Sequence, residues 1–282
     1  MQALGYYYHI HFITYSQKEH SFLVVLMQDA QYTMLLVEER RIGSVNIDSL
    51  NPNEGKKLMI MTDNGAYARY PVKTHVVMDG DALEDIVIDY VEPFLEPNDM
   101  IFISEKVVAI SQGRAFPIDE ITVSRLAKVL CKYVYKSPFG IGLASPYTME
   151  LAIRDIGYPL ILFAAFCSAI GKLLGIKGVF YKIVGMKGRA IDGPCECTIP
   201  PYNRYAKMAP NNPSEVAMKL SEKTGCTVVI IDSNDLSCDI LGKSSKELDD
   251  KLLRQIFNDN PLGQGAQQTP IAIVRKVSLA TP

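Results

Sequence analysis

The sequence predicts an α+β protein of mixed sheets and packed helices. Two observations carry that prediction. The first 50 residues read as strands, and from residue 56 onward short apolar runs alternate with amphipathic segments of helical period. The turn-rich stretch "NPNEGKK" (51–57) divides them, so residues 1–55 are expected to form a β-rich N-terminal extension and 56–282 the main α+β region.

In order along the chain, "HIHF" alternates polar and apolar residues as a half-solvated strand does, with His9 and His11 on one face. "FLVVLMQ" and "YTMLLVEE" are further strands, as are "KLMIMT" and "YARYPVKTHVV". "GDALEDIVIDYVEPFL" (80–95) carries Leu83, Ile86, Val87, Tyr90, Val91 and Phe94 at helical spacing. "NDMIFISEKVVAISQGR" (98–114) is a buried strand, a polar step and a second apolar run, and "DEITVSRLAKVLCKYVY" (119–135) is a helix. "YPLILFAAFCSAIGKLLGIKGVFY" (158–181) is a strongly apolar helix. Its uncharged part ends before Lys172, short of the about 20 residues a membrane-spanning helix needs, so membrane association is not expected. Residues 185–213 lack regular periodicity, and loops this long in compact domains are usually functional or disordered. Helices follow at 214–225, with Ser214 as N-cap, and at 245–257, with Ser245 as N-cap. Between them lies the buried strand "CTVVIIDSNDL" (226–236), and "IAIVRKV" is the last strand.

The 282 residues are 48% hydrophobic and 21% charged, with net charge −2. No global field favours nucleic acid, and no Lys/Arg run marks a basic patch. The six cysteines are scattered and read as reduced cytosolic thiols; "CEC" at 195–197 could also be a redox or metal pair, although it lacks the further ligands of a metal site. The start lacks the basic head and apolar core of a signal peptide, and a cytoplasmic location is expected.

Three polar clusters stand at the ends of apolar runs. Ser104, Glu105 and Lys106 follow "MIFI"; Asp232, Ser233, Asn234 and Asp235 follow "TVVII"; "GQGAQQT" precedes "IAIV". Ligands of sheet proteins often bind beyond strand ends. Carboxylates such as Asp232 and Asp235 are hard ligands for Mg²⁺ or Mn²⁺. Gly263 and Gly265 let backbone N–H groups approach a phosphate, and Lys106 can offset its charge. Together these features suggest metal-assisted phosphoryl chemistry. Each also has a plain structural reading: an Asx turn for "DSND", a solvated strand end for "SEK", and a turn for "GQG".

"HVVMDGDALEDIV", "MIFISEKVVAISQGRAF", "CTVVIIDSND" and "GQGAQQTPIAIVRK" occur in that order. They resemble the family of ligases that add L-glutamate to the deazaflavin coenzyme F-420, over roughly residues 70–276. The resemblance implies an α+β dimer that uses GTP and a divalent cation, Mn²⁺ or Mg²⁺, to form γ-glutamyl amides through an acyl phosphate. It implies metal contacts at Asp232, Ser233 and Gln264, with Asp192 as a further metal aspartate. It implies nucleotide contacts at Lys106, at Asn203 and along the loop 262–269, which includes Leu262, Gly263, Gly265 and Thr269. Glu105 sits where family members commonly carry serine, and Thr74 and His75 fall near another nucleotide segment. No catalytic residue is assigned. Two departures bear on activity: Ile110 replaces a lysine, and "SNDLSCDILG" replaces a segment that carries an arginine. GTP and ATP, and L-glutamate and another amine, stay open as pairs of alternatives. The acceptor is a small carboxylate such as the deazaflavin precursor. A non-catalytic nucleotide- or metal-binding module is the competing reading.

Overall fold

A long apolar run with polar residues only at its ends can be buried on both faces, and two such runs lie side by side at the centre of this protein. The computed structural model describes residues 46–134, 141–235 and 237–277, together with the backbone of strands 9–17, 20–29 and 32–40. Those three strands are β1 (His9–Gln17), β2 (His20–Asp29) and β3 (Tyr32–Arg40), an antiparallel meander with Phe12 opposite Val25 and Val25 opposite Leu36.

The main sheet begins with the hairpin of β4 (Met59–Thr62) and β5 (Gly65–Val72). Gly65 turns the chain at φ +114°, and the Thr62 hydroxyl donates to its carbonyl at 2.9 Å. Helix α1 (Leu83–Tyr90) follows, then β6 (Met100–Ser104) and α2 (Glu105–Ser111). The second apolar run of 98–114 is therefore helical, and Ser104 caps it by accepting from the Lys106 N–H at 3.4 Å. Next come β7 (Ala115–Pro117), α3 (Arg125–Leu130), α4 (Pro146–Ile156), α5 (Tyr158–Leu173), α6 (Val179–Arg189) and β8 (Tyr205–Lys207). The chain closes with α7 (Pro213–Thr224), β9 (Thr227–Ser233), β10 (Cys238–Lys243), α8 (Asp250–Ile256) and β11 (Ile271–Val277).

The six-stranded order is β10-β9-β6-β11-β5-β4. Only β6 and β9 pair in parallel; every other neighbour is antiparallel. Alternation along the strands feeds two cores. Tyr70, Ile101, Ile103, Ile230 and Ile273 face α1, α2 and α7, whereas Tyr67, Phe102, Val229, Ile231 and Val274 face α8. Phe102 stacks on Phe257 there with ring centroids 4.2 Å apart. A third core joins α3, α4, α5 and α6 through Leu143, Met149, Ile153, Ile161 and Phe180.

Several expected boundaries move, each for a local reason. The helix expected at 119–135 is reduced to α3, because Ser124 accepts from the Ala127 N–H at 3.2 Å and starts it there. The apolar segment 158–181 is two helices, separated by Gly175 and Gly178 with φ of +74° and +75°. Helix α7 is entered through Asn212 and Pro213 instead of Ser214. Helix α8 starts at Asp250, with the Asp249 carboxylate accepting from the Lys251 N–H at 2.9 Å. Ser245 instead accepts from the Glu247 N–H at 3.2 Å in the preceding turn. Within "SNDLSCDILG", Ser233 ends β9 and residues 238–242 lie in the edge strand β10, and 185–213 contains the end of α6 and all of β8.

Candidate active site

Parallel pairing puts the C-terminal ends of β6 and β9 at one edge of the sheet, with Ser104 opposite Ile231. Strand β11 runs the other way, with Ile271 opposite both Ile103 and Val72, so it starts at the edge where β6 and β5 stop. Residues 104–106, 232–235, 262–270 and 73–75 therefore gather at that edge. Backbone groups tie them together. Ser104 N–H donates to Pro270 O at 2.9 Å, Thr74 N–H to Gln268 O at 3.2 Å, and the Gln268 side chain back to Thr74 O at 2.7 Å.

Charged side chains converge at the same edge. Asp192, in the irregular segment, bridges backbone to backbone with Lys207 of β8. The buried Lys207 ammonium lies 2.7 Å from one Glu105 oxygen, donates to the other at 2.8 Å and to Ala190 O at 2.6 Å, and stands 3.7 Å from Asp192. Lys106 is half exposed and 3.4 Å from Asp192. Burial pushes the Glu105 carboxyl up to about 8, against the pull of Lys207. Burial also works to raise Asp192, but Lys207 and then Lys106 outweigh it and hold that carboxyl below its ordinary value. Asp232 is raised, first by burial and then by the Asp192 charge, with Asp239 opposite it on β10 adding to the effect. Lys106 is raised chiefly by Asp192. Glu105 is thus the buried member of the cluster, and Asp192 and Lys106 are its half-exposed members.

The glycine-rich loop beside them is pinned at both ends. Leu262 is buried in the α8-side core. The buried Thr269 hydroxyl donates to Leu262 O at 3.0 Å and accepts from the Asn53 amide at 2.8 Å. Gly263 has φ +78°, and the Gln267 side chain lies where its Cβ would be, within 2.6 Å. That Gln267 oxygen accepts from the Gly265 N–H at 2.7 Å. A Cβ on Gly265 would stand 3.8 Å from Cys197 O, so the "CEC" turn borders this loop. Cys195 and Cys197 are joined as a disulfide, contrary to the expectation of reduced thiols; two residues of separation in a turn bring their Cα atoms to 5.3 Å, a distance a disulfide spans. The other four cysteines are free.

The remaining expected residues divide by location. Ser233 follows Asp232, so strand alternation turns it to the opposite face, where its hydroxyl donates to Phe257 O at 3.2 Å. Glu105 is buried and holds Lys207. Gln264 is exposed on the loop, and Asn203 is half-buried in the turn Tyr202–Arg204. Thr74 is buried with its hydroxyl on His75 O at 2.7 Å. The His75 ring is exposed, 3.0 Å from Asp81 and 3.1 Å from the Tyr90 hydroxyl. Ile110 packs in the core on α2. Sequence reasoning missed Lys207 and Asn53, and it placed Gln267 in the loop 262–269 without assigning it a contact. Lys207 carried a faint signal, since "YAKMA" is a short alternation with the lysine among apolar residues.

Among the described residues, no three or more of His, Cys, Asp and Glu form a ready metal-ligand set. Magnesium-type nucleotide sites need only one or two carboxylates, with phosphate oxygens completing the shell. Asp192 and Asp232 fit that donor set: both are hard oxygen ligands, and the burial and then the Asp192 repulsion that raise Asp232 are what a dication relieves.

A protein-family model described as F420-0:Gamma-glutamyl ligase matches residues 71–242, more than half of the chain. No curated protein matches it. The matched span holds Lys106, Asp192, Lys207 and Asp232 and ends before the glycine-rich loop.

Proposed function

The chain belongs to the F420-0:gamma-glutamyl ligase family, and from that premise we propose that it is a nucleotide-driven, divalent-metal-dependent ligase forming an amide through an acyl phosphate. A substrate carboxylate oxygen attacks the nucleotide γ-phosphorus and the nucleoside diphosphate leaves. An amine nitrogen then attacks the acyl carbon, inorganic phosphate leaves, and the amine gives up a proton. L-glutamate is the first amine to consider, a deazaflavin coenzyme F-420 precursor the first carboxylate, and GTP the first nucleotide.

The observation that supports this reading most is the shared sheet edge, where Lys106, Asp192, Asp232 and the loop 262–269 meet. Lys106 offsets phosphate charge. The Gly265 N–H, bonded to Gln267, is a donor that a phosphate oxygen can take over. Asp192 and Asp232 would hold Mn²⁺ or Mg²⁺, and the exposed Gln264 of the loop would be a further oxygen donor. The metal's contribution when bound is to neutralise phosphate charge. Lys207 and Glu105 act from beneath, holding Asp192 in place. In this reading residues 56–282 carry the ligase unit, 1–55 are an extension, and the protein works in the cytoplasm as a homodimer.

One residue and one segment favour a second reading, a binding module without turnover: by the resemblance, Ile110 and "SNDLSCDILG" stand where family members carry positive charge. One assay separates the two. Purified protein with Mn²⁺ and GTP should release phosphate slowly alone and faster with precursor and L-glutamate together, with a product heavier by one glutamyl residue. Nucleotide binding without amide product across a panel of carboxylates and amines selects the binding module. If neither GTP nor ATP binds, the ligase reading fails at its first step.

A further inference from the structure

Helix α5 buries only a narrow stripe, including Ile161, Ala164 and Gly171, against its neighbours. Its opposite side is apolar and open: Phe163 is 57% and Phe166 65% exposed, and Leu173 at its end 88%. The exposed apolar surface continues through Leu174 and Ile176 at the tip of the α5–α6 turn. An apolar face of this extent on a water-facing helix marks an interaction surface.

Charge selects the partner. Residues 156–191 contain no Asp or Glu, yet they carry Lys172, Lys177, Lys182, Lys187 and Arg189, all exposed, in a chain of net charge −2. Lys172 and Lys177 bracket the apolar tip. Two copies meeting through this face would oppose like charges, which disfavours self-association. An anionic bilayer surface satisfies both features: acyl chains accept the phenylalanines and leucines, and lipid phosphates meet the cations. Long lysine stems let the ammoniums reach the headgroups while the tip inserts.

The length of α5 suits a helix lying along a surface better than one crossing a bilayer. The 16 residues of α5 span about 24 Å, less than the ~30 Å hydrocarbon core. No single described helix is long and apolar enough to cross a membrane, and the α4–α5 pair is bent by 120° at Gly157. Helix α4 is committed to the protein interior, with Met149, Leu151, Ala152 and Ile153 buried.

We propose that the α5–α6 hairpin is a docking element for anionic lipid surfaces, with Phe163, Phe166 and the Leu173–Ile176 tip entering the interface and the flanking lysines contacting headgroups.

The test is flotation of the full chain with vesicles, reading lipid partition instead of turnover, so it is independent of the ligase assignment. The protein should float with phosphatidylcholine vesicles containing about one-third phosphatidylglycerol and not with phosphatidylcholine alone, and added salt should release it. Lys172→Gln with Lys177→Gln should weaken partition roughly 25-fold, about fivefold per cation. Phe166→Glu with Leu173→Glu should abolish it with the melting temperature unchanged, since both side chains are exposed. No flotation on anionic vesicles, or equal recovery on neutral and anionic ones, overturns the proposal. So does a wild-type dimer that Phe166→Glu dissociates without any lipid binding, which would make the face a subunit interface.

Discussion

Arg69 and Lys207 are both buried cations, and they sit in opposite electrostatic situations. The planar fork of Arg69 is closed on its surroundings: it donates to Ile256 O at 2.9 Å, to Lys57 O at 2.7 Å and to both oxygens of Asp259. Through its two terminal nitrogens one cation meets one carboxylate and two carbonyls, while its buried Nε has no hydrogen-bond partner. Lys207 instead lies among Glu105 and Asp192, with Asp232 close enough to be raised by Asp192. Three carboxylates share two lysines, and Asp192 is 41% exposed. A closed pair staples the fold, here the segment around Lys57 to the end of α8. The Lys207 cluster is instead shared among several groups and open to solvent at Asp192 and Lys106, and that openness, more than the number of charges, marks the candidate site.

The largest expected effect falls on the closed pair. Arg69→Leu strands Asp259 and two carbonyls and should cost about 3 kcal/mol in urea-unfolding free energy. Burial works to raise the Asp259 carboxyl, but Arg69 prevails and holds it below its ordinary value. A depressed carboxyl contributes stability above its unfolded pKa and loses it as pH falls through the folded one. The wild type should therefore lose stability faster below about pH 4 than the Arg69→Leu protein does. Equal acid slopes for the two would break the comparison.

The open cluster should respond with the opposite sign. Glu105 is raised to about 8, so its contribution is complete below the unfolded value near 4.5 and is lost as pH rises toward 8. Glu105→Gln should remove a fall in stability on the order of a few kcal/mol between those limits. Melting curves across that range check it, and a wild-type profile as flat as the variant's counts against a buried, uncharged Glu105.

Asp232→Asn acts on the ligand side of the comparison. It removes a repelled carboxylate and should leave stability within about 1 kcal/mol while weakening Mn²⁺ binding at least about tenfold. An unchanged calorimetric Mn²⁺ titration would remove Asp232 from the site. The smallest effect is at its neighbour. Ser233→Ala loses the bond to Phe257 O and should cost about 1 kcal/mol in stability. Its Mn²⁺ affinity should stay at the wild-type value, because strand alternation turns the hydroxyl away from Asp232. A weakened titration would instead return Ser233 to the ligand set.

Much of the site could be read one segment at a time, because strand ends announce themselves. "MIFISEK" and "TVVIIDSND" change from apolar to polar at the residues where β6 and β9 stop, and the glycines of "LGQG" mark a loop that no helix or strand would tolerate. β11 and the apolar faces of α1 and α7 follow from period alone. Three features depended on neighbours distant in sequence. The edge strand β10 was hidden because "SNDLSCDILG" has no clean alternation and is a strand only by pairing with β9. Lys207 reads as a solvated loop cation until the bridge to Asp192 buries it against Glu105, 102 residues away. The apolar run of α5 reads as a buried or interface helix, since hydrophobicity in a sequence says that burial would be favourable and not which partner provides it. Period and composition act within a few residues, and so the sequence by itself determined the elements, their polar ends and the residue types that can meet a phosphate or a dication. Which of those ends share an edge, which carboxylates crowd the same two lysines and which face of α5 is left open depend on strand order and long-range packing, and only the tertiary structure decided them.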